Sequence, residues 1–553
     1  MTMSRRRAGR YWLAFVAAGA LALTACSGGS SNDPTSDQAA TSSAAAGAGS
    51  QSSAATGSAS GSAAAPAADV DTSAVLKFTS AGPTRNLDPA KQTSYGGWGY
   101  LVLVYDRLTM LDDKDQVVPG LATEWAFAKD GSSLELTLRK DVKFHDGTPF
   151  NAAAVKANIE RGQTLEDSSL KASLQSIAKV EVVDDYTVKL DLAKGSGVSL
   201  PSVFATDAGM MVSPKAIESG AKLEDGKVDA GSGPYVVSEY VANEKVTLKR
   251  ADSYWDPNVG TLAGMELTRV PDASTRLKGV QTGETDLSLV SSANEVAQAK
   301  QLADAGQIKQ NLVTFRNVLG IYLRTNQGDL AKPEIRQAIA YAVDPKAVNA
   351  LFSGTCAPTR QLVPANDWSA IPDYTYPYEF DEAKAKELVQ KAGGGKVTVT
   401  FAAGTNAEQP ANVVQAALTK VGIQATLNPV PNSENEPRFI AGDFELMVAT
   451  SWSPKIDPAQ TVDTYLLDTY KLASDPSLIK ADAAKAADPT LSQEQRAPLY
   501  QNIWKTALEQ NWYIPLCNQT SATIYNDKVL NAEAIPWANI GIWDLRNIAV
   551  KKG

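Results

Sequence analysis

The chain has one histidine, His145, in the stretch VKFHDGTPFNAAAVKANIE (142–160), and three cysteines, Cys26, Cys356 and Cys517. A histidine beside Asp146 is the pairing a general base or a metal ligand would use, so chemistry is sought there first. A Ser–His–Asp nucleophile needs a strained elbow, and no G-x-S-x-G occurs in the chain. Zinc needs three or four nitrogen, sulfur or oxygen ligands, and one histidine with two distant cysteines offers no ligand spacing. GGGKVT (393–398) lacks the hydroxyl residue after the lysine of a phosphate loop, and YGGWGY (95–100) is not G-x-G-x-x-G. A carboxylate pair for glycoside hydrolysis is the one catalytic arrangement left open, because acids are abundant. The plain reading of His145 is structural. A strand ends at Phe144-His145, Asp146-Gly147 turns the chain, and Asn151 caps the helix that follows. These residues predict a protein that is not an enzyme, with no metal site and no cofactor.

The ends of the chain place it. Arg5, Arg6, Arg7 and Arg10 precede an apolar run, Tyr11 to Ala22, that is shorter than the ~18–20 residues a membrane span needs. The run closes on Leu23-Thr24-Ala25-Cys26, which resembles the lipobox of bacterial lipoproteins, where the cysteine is acylated and becomes the first mature residue. Residues 1–25 are therefore expected to be a signal peptide and Cys26 a lipid anchor on the outer face of the cell membrane. Residues 26–72 are dominated by Ser, Ala, Gly and Thr, too poor in apolar surface to offset the entropy of ordering, and predict a disordered tether. Loss of the leader takes four arginines and moves the net charge from −9 to −13. So acidic a body has no face for phosphates, which excludes nucleic acid as a partner. Cys356 and Cys517 remain as a pair that an exported protein can bridge or leave as buried thiols.

The elements that position these residues fall into two styles. Leu134, Leu136 and Leu138 alternate with polar neighbours, as do YTVKLDL (186–192) and EKVTLKR (244–250), predicting half-buried strands. Later segments alternate helix and strand. Pro333 starts an amphipathic helix in KPEIRQAIAYAVD (332–344), and Asp381 caps another in DEAKAKELVQKAGG (381–394). VTVTF (397–401), ANVVQAALTKVG (411–422) and IQATLNPV (423–430) read as a βαβ unit with parallel strands. The glycines around Trp98 are awkward in a strand and predict a loop.

The stretch 117–160, VVPGLATEWAFAKDGSSLELTLRKDVKFHDGTPFNAAAVKANIE, resembles the signature region of the extracellular solute-binding proteins of the peptide/nickel family. Leu87-Asp88-Pro89, VYDRLTMLDD (104–113), GSGPYVVSEY (231–240), RADSYWD (250–256), DASTRLKGVQTGETDLS (272–288), the PEIRQAIAYAVD helix and FDEAKAKELVQKAG (380–393) follow in the family's order. The resemblance implies an α/β, two-lobed clamshell of the large type II class with a subdomain inserted in lobe one. Lobe one would be 73–118, 230–312 and 520–553, the inserted subdomain 119–229 and lobe two 313–519, with crossings near residues 313 and 519. It further implies a monomer that captures a small-molecule or peptide solute outside the membrane and delivers it to the permease of an ABC importer, whose ATPase is a separate chain. Other readings are the same fold binding a non-peptide solute such as a sugar or a metal chelate, a sensory receptor of the same fold, and a secreted hydrolase.

By the same resemblance the solute lies between TSYGGWGY (93–100) and FELMVATSWSPKIDP (444–458). Tyr95, Trp98 and Trp452 are candidate flat walls, and Arg360 is a candidate clasp for a ligand carboxylate. Peptide-binding members place a carboxylate shortly after the lobe-two aromatic. Ser453-Pro454-Lys455 occupy that place here, and Asp457 is the nearest acid.

Overall fold

A computed structural model describes residues 69–553, apart from 83, 94, 194–195, 536 and 539–541, and without the side chains of Tyr95, Ala293, Trp537, Ala538 and Ile542. Cys26, the leader and most of the tether lie outside the described residues.

Among the described residues eleven strands form one continuous sheet. At one end Gly395–Ala402 runs parallel to both Ile423–Val430 and Leu446–Trp452, with the helix Glu408–Lys420 crossing between the first two. This is the βαβ unit expected from the sequence. At the other end Val75–Ser80 lies parallel to Gly264–Arg269 and Leu287–Val290, and Lys245–Arg250 and Tyr235–Val241 extend the sheet antiparallel.

Two long antiparallel strands, Lys309–Leu323 and Tyr513–Tyr525, join the ends. Residues 309–314 pair with 520–525 beside Leu287–Val290, while 318–322 pair with 513–518 beside Leu446–Trp452. The register breaks between Thr314 and Val318. An irregularity of this kind bends a strand and re-aims its side chains, and Phe315, Arg316 and Asn317 occupy it. Cys356 and Cys517 are disulfide-bonded with Cα atoms 5.3 Å apart, which fastens the short strand Cys356–Pro358 to Tyr513–Tyr525 just beyond the break.

A separate four-stranded antiparallel sheet, Ala122–Phe127, Ser133–Leu138, Thr187–Leu192 and Ile177–Asp184, is covered by the helix Ala152–Thr164. Leu134, Leu136 and Leu138 face its core with Glu135 and Thr137 outside, as their alternation requires. Asn151 caps that helix through Ala154 N–H, 3.0 Å away, and Asp381 caps Glu382–Lys391 through Lys384 N–H at the same distance.

Three large apolar cores result. One lies under the parallel end around Leu446, Val448 and Trp504, one under the other end around Leu76, Leu103 and Met265, and one inside the separate sheet around Leu136 and Ile159. Trp98 corrects the sequence expectation. It sits in a helix, Tyr95–Val104, not a loop. The glycines serve close approach there: a Cβ on Gly97 would lie 2.3 Å from the Gln92 amide and one on Gly99 2.4 Å from the Trp543 ring. Tertiary packing overrides their weak helix propensity.

Candidate functional site

His145 is engaged on every side. Its N–H donates to Gly231 O at 2.8 Å, its Nδ1 lies 2.5 Å from Asp229 Oδ1 and its Nε2 lies 2.8 Å from Gly233 O. Burial presses its pKa down, but the bond to Asp229, that carboxylate's charge and the Gly233 carbonyl outweigh it, and the net shift is upward. The histidine ties the strand end to the segment 229–233, as the plain reading expects, and has no ring nitrogen to spare for substrate or metal. Among the described residues no group of three or more His, Cys, Asp or Glu is arranged to hold a metal ion.

The site lies where the parallel-end body meets the other two. After the buried strand Leu446–Trp452 the chain runs as Ser453-Pro454-Lys455-Ile456-Asp457, and each step of that run is held. Tyr465 Oη accepts from Ser453 N–H at 2.8 Å and donates to Ser451 O at 2.7 Å. Thr461 Oγ1 accepts from Lys455 N–H at 2.8 Å. Arg316 donates to Pro454 O at 3.3 Å and to Lys455 O at 3.4 Å. Asp457 caps the short helix Pro458–Thr461 through Ala459 N–H at 2.9 Å. Tyr465 itself sits in a turn of π-helix, Val462–Leu467, a rare geometry that recurs at functional sites.

Two apolar residues cross the boundary. Ile456 packs with the core around Leu76 and Leu103, and Val198, from the inserted body, packs with the core around Leu446. A cavity of about 280 Å³ opens beside them, lined by Asp115, Trp125 and Ser202 on one side and by Arg316, Asp367 and Asp457 on the other. Arg316, in the register break, bonds Asp115 Oδ2 at 3.1 Å across this boundary and pairs with Asp367 through its other nitrogen. Asp115 stands at a turn with φ 61° in the hairpin between Thr109–Leu111 and Val117–Pro119. Burial pushes its carboxyl up, against the pull of the Arg316 guanidinium.

Of the candidates named from sequence, Trp452 and Asp457 build the site's frame. Trp452 has no exposed surface. Its ring stacks on Tyr465 with centroids 4.4 Å apart, and its Nε1–H donates to Leu362 O at 2.7 Å. It presents no wall to a ligand, because the aromatic cluster of Tyr322, Tyr465 and Tyr513 encloses it. Asp457 borders the cavity, but both its oxygens accept from Arg496 Nη2, at 2.7 and 2.9 Å. A ligand amine would have to displace that cation. Arg360 donates to Pro515 O at 3.2 Å and lies over the Tyr376 ring at 4.9 Å, with Glu379 3.7 Å from its Nε. Trp98 is half-buried with its Nε1–H 3.4 Å from Gln92 O, and the side chain of Tyr95 lies outside the described residues. Arg316 and Asp115 were not legible as site residues. Nothing in TFRNVLG marks its arginine, and only the register break brings it to the boundary.

Residues 116–472 match the family model of the bacterial extracellular solute-binding proteins, family 5, middle region. The chain belongs to that family. It is 31% identical over 477 residues to the glutathione-binding protein GsiB of Salmonella paratyphi A, covering 81% of this chain and 89% of that one. It is 30% identical over 367 residues to its Escherichia coli K12 counterpart, covering 65% and 69%. Solved structures share the fold. DppA of Helicobacter pylori with the peptide STSA superposes with a TM-score of 0.72 at 23% identity, over 88% of this chain and 99% of that one. NikA of Brucella suis with Fe(III)-EDTA gives 0.76 at 24%, over 87% and 100%. The two bodies and the inserted sheet are thus the two-lobed clamshell of these proteins. The protein is an exported solute-binding component of an ABC importer, working with permease and ATPase chains, and not an enzyme.

Proposed function

We propose that this protein is a lipid-anchored receptor that captures a dipeptide- or oligopeptide-like solute between its lobes and hands it to the permease. The observation that carries the reading is the run 453–457, held rigidly by lobe two while Ile456 is buried in the core of lobe one. A ligand bound beside it touches both lobes only when they are closed, so binding shifts the population toward closure. The ribbon of Lys309–Leu323 with Tyr513–Tyr525 supplies the hinge, with lobe one as 73–118, 230–312 and 520–553, the inserted subdomain as 119–229 and lobe two as 313–519. The strand pairing and the separate core under the parallel end support lobe two as its own body, and the four-stranded sheet with its own core supports an inserted subdomain. Trp98 and Tyr95, on the helix Tyr95–Val104, and Arg360 are proposed to border the solute, with Trp452 and Asp457 behind it.

The peptide class is supported by relatives named for glutathione and solved with the peptide STSA, both built of amino-acid units. Native mass spectrometry of the body from residue 71, purified from its own host, tests it. A bound mass of two to five amino-acid residues is expected, and a sugar or metal-chelate mass would overturn the peptide class. Cys26 is proposed to carry the anchor. Its replacement by Ala is expected to abolish incorporation of labelled fatty acid and release the protein from the membrane fraction.

A further inference from the structure

The cavity at the boundary is lined by three acids and three bases, and five of the six are already committed to one another. Arg316 is held by Asp115 and by Asp367, and both oxygens of Asp457 are held by Arg496. The sixth, Lys114, is exposed to water. The charges of the lining therefore cancel, and none of its carboxylates is free to receive an amine. What the lining does offer is carboxamide and indole. Asn366 and Gln493 are exposed, and among the described residues neither side chain bonds to another protein group. Each carries two donors and an acceptor. Gln493 opens the helix Gln493–Glu509 and stands three residues before Arg496, which puts both on one face of it. Trp125 and Trp368 are half-buried in the same lining, each with an apolar body and a polar edge. Arg496 lies 5.3 Å from the centroid of the Trp368 ring, so that indole already has its cation.

We propose that the cavity takes an uncharged, amide-bearing unit of the solute, a peptide link or a carboxamide side chain, and keeps the solute's charged groups outside. The inference rests on the peptide-like reading above and names the part of the peptide that the cavity recognises. Its physical reason is desolvation. A charged group that enters must stay unpaired or take its partner from an existing buried pair. Either course leaves one charge uncompensated. A neutral amide meets neither cost, because it exchanges bonds to water for bonds to Asn366 and Gln493. Selectivity then comes from what the lining refuses as much as from what it attracts.

Isothermal titration of the full body with N-acetylated, C-amidated Ala-X-Ala tests this, X being Gln, Glu or Lys, beside unblocked Ala-Gln-Ala. Wild type is expected to bind X = Gln about tenfold or more tighter than X = Glu or Lys. The blocked Gln peptide is expected to bind at least as tightly as the free one. Gln493→Ala and Asn366→Ala should each weaken the Gln peptide about 2- to 10-fold, the scale of one hydrogen bond, and leave the Glu and Lys peptides unchanged. Asp457→Asn leaves Arg496 without its anion and is expected to turn the preference toward X = Glu. Lost packing alone would weaken all three peptides alike. Should Asp457→Asn fail to fold, the wild-type comparison and the two exposed variants decide. Equal binding of the three peptides by wild type, or a preference for Glu or Lys, would overturn the neutral cavity and leave the peptide reading standing. A tenfold gain on freeing the ends would do the same. No binding of any of these peptides would overturn both.

Discussion

Two arginine clusters of this molecule use the same chemistry to different ends. Asp106 is fully buried and accepts from Arg546 Nη1 at 2.6 Å, Tyr254 Oη at 2.9 Å and Trp255 Nε1 at 3.0 Å. Arg546 also donates to Val102 O and to Tyr105 O, and neighbouring Arg107 pairs with Asp544 at 2.6 Å. These partners lie within one body and stay together whatever the lobes do. Arg316 gathers the same kinds of partner from three places: Asp115 from the hairpin across the boundary, Asp367 from its own side and the carbonyls of 454–455 at the candidate site. Opening the clamshell must break part of that set. A buried ion pair inside a body contributes to stability through the cost of losing one partner, while one across a hinge contributes to the balance between states.

Asp106→Ala breaks the comparison at its strong end. It leaves Arg546 and two aromatic donors without their acceptor, and a loss of about 3–5 kcal/mol is expected in urea unfolding. A loss under about 1 kcal/mol would remove the distinction between the clusters. Reduction of Cys356–Cys517, or Ser at both positions, is expected to cost about 2–4 kcal/mol, since the bridge closes a long loop of the unfolded chain. Arg316→Ala sharpens the comparison. It should destabilise the protein by leaving the buried Asp367 without its cation, and in addition weaken solute binding about tenfold and leave the liganded body more extended by small-angle scattering. Unchanged affinity with lowered stability would make Arg316 a second Asp106-type anchor.

The smallest expected effect concerns His145. Its folded pKa is raised, so the folded state binds its proton more tightly than the unfolded chain. That contribution is complete below the unfolded value near 6.5 and is lost as pH rises through the folded value. His145→Gln should therefore cost more at pH 5.5 than at pH 8.5. The difference is expected to be small, held down by solvent screening at Asp229, whose side chain is 44% exposed.

Much of the fold was legible because its signals are local. The alternation at Leu134, Leu136 and Leu138, the caps Asn151 and Asp381, and the strand–helix–strand order at 395–430 depend on neighbours in sequence. The helix Tyr95–Val104 was not legible. Its glycines read as a loop until Gln92 and the distant Trp543 are seen pressed against them. The site was less legible than the fold. Trp452 and Asp457 were named from the sequence as candidates, but their partners, Tyr465 and Arg496, come from separate helical turns, and those partners engage the two side chains.

The sequence by itself determined the class of the protein: an acidic body without catalytic or nucleotide motifs, and an ordered series of motifs that names the clamshell. Composition and local periodicity suffice for this because burial and capping act over a few residues. Only the tertiary structure decided which charges meet. The pairing of Arg316 with Asp115 and Asp367 depends on a register break in one strand and on the approach of two bodies of the fold. Electrostatic contacts are set by distances of a few ångströms in space, and separation along the chain carries no record of them.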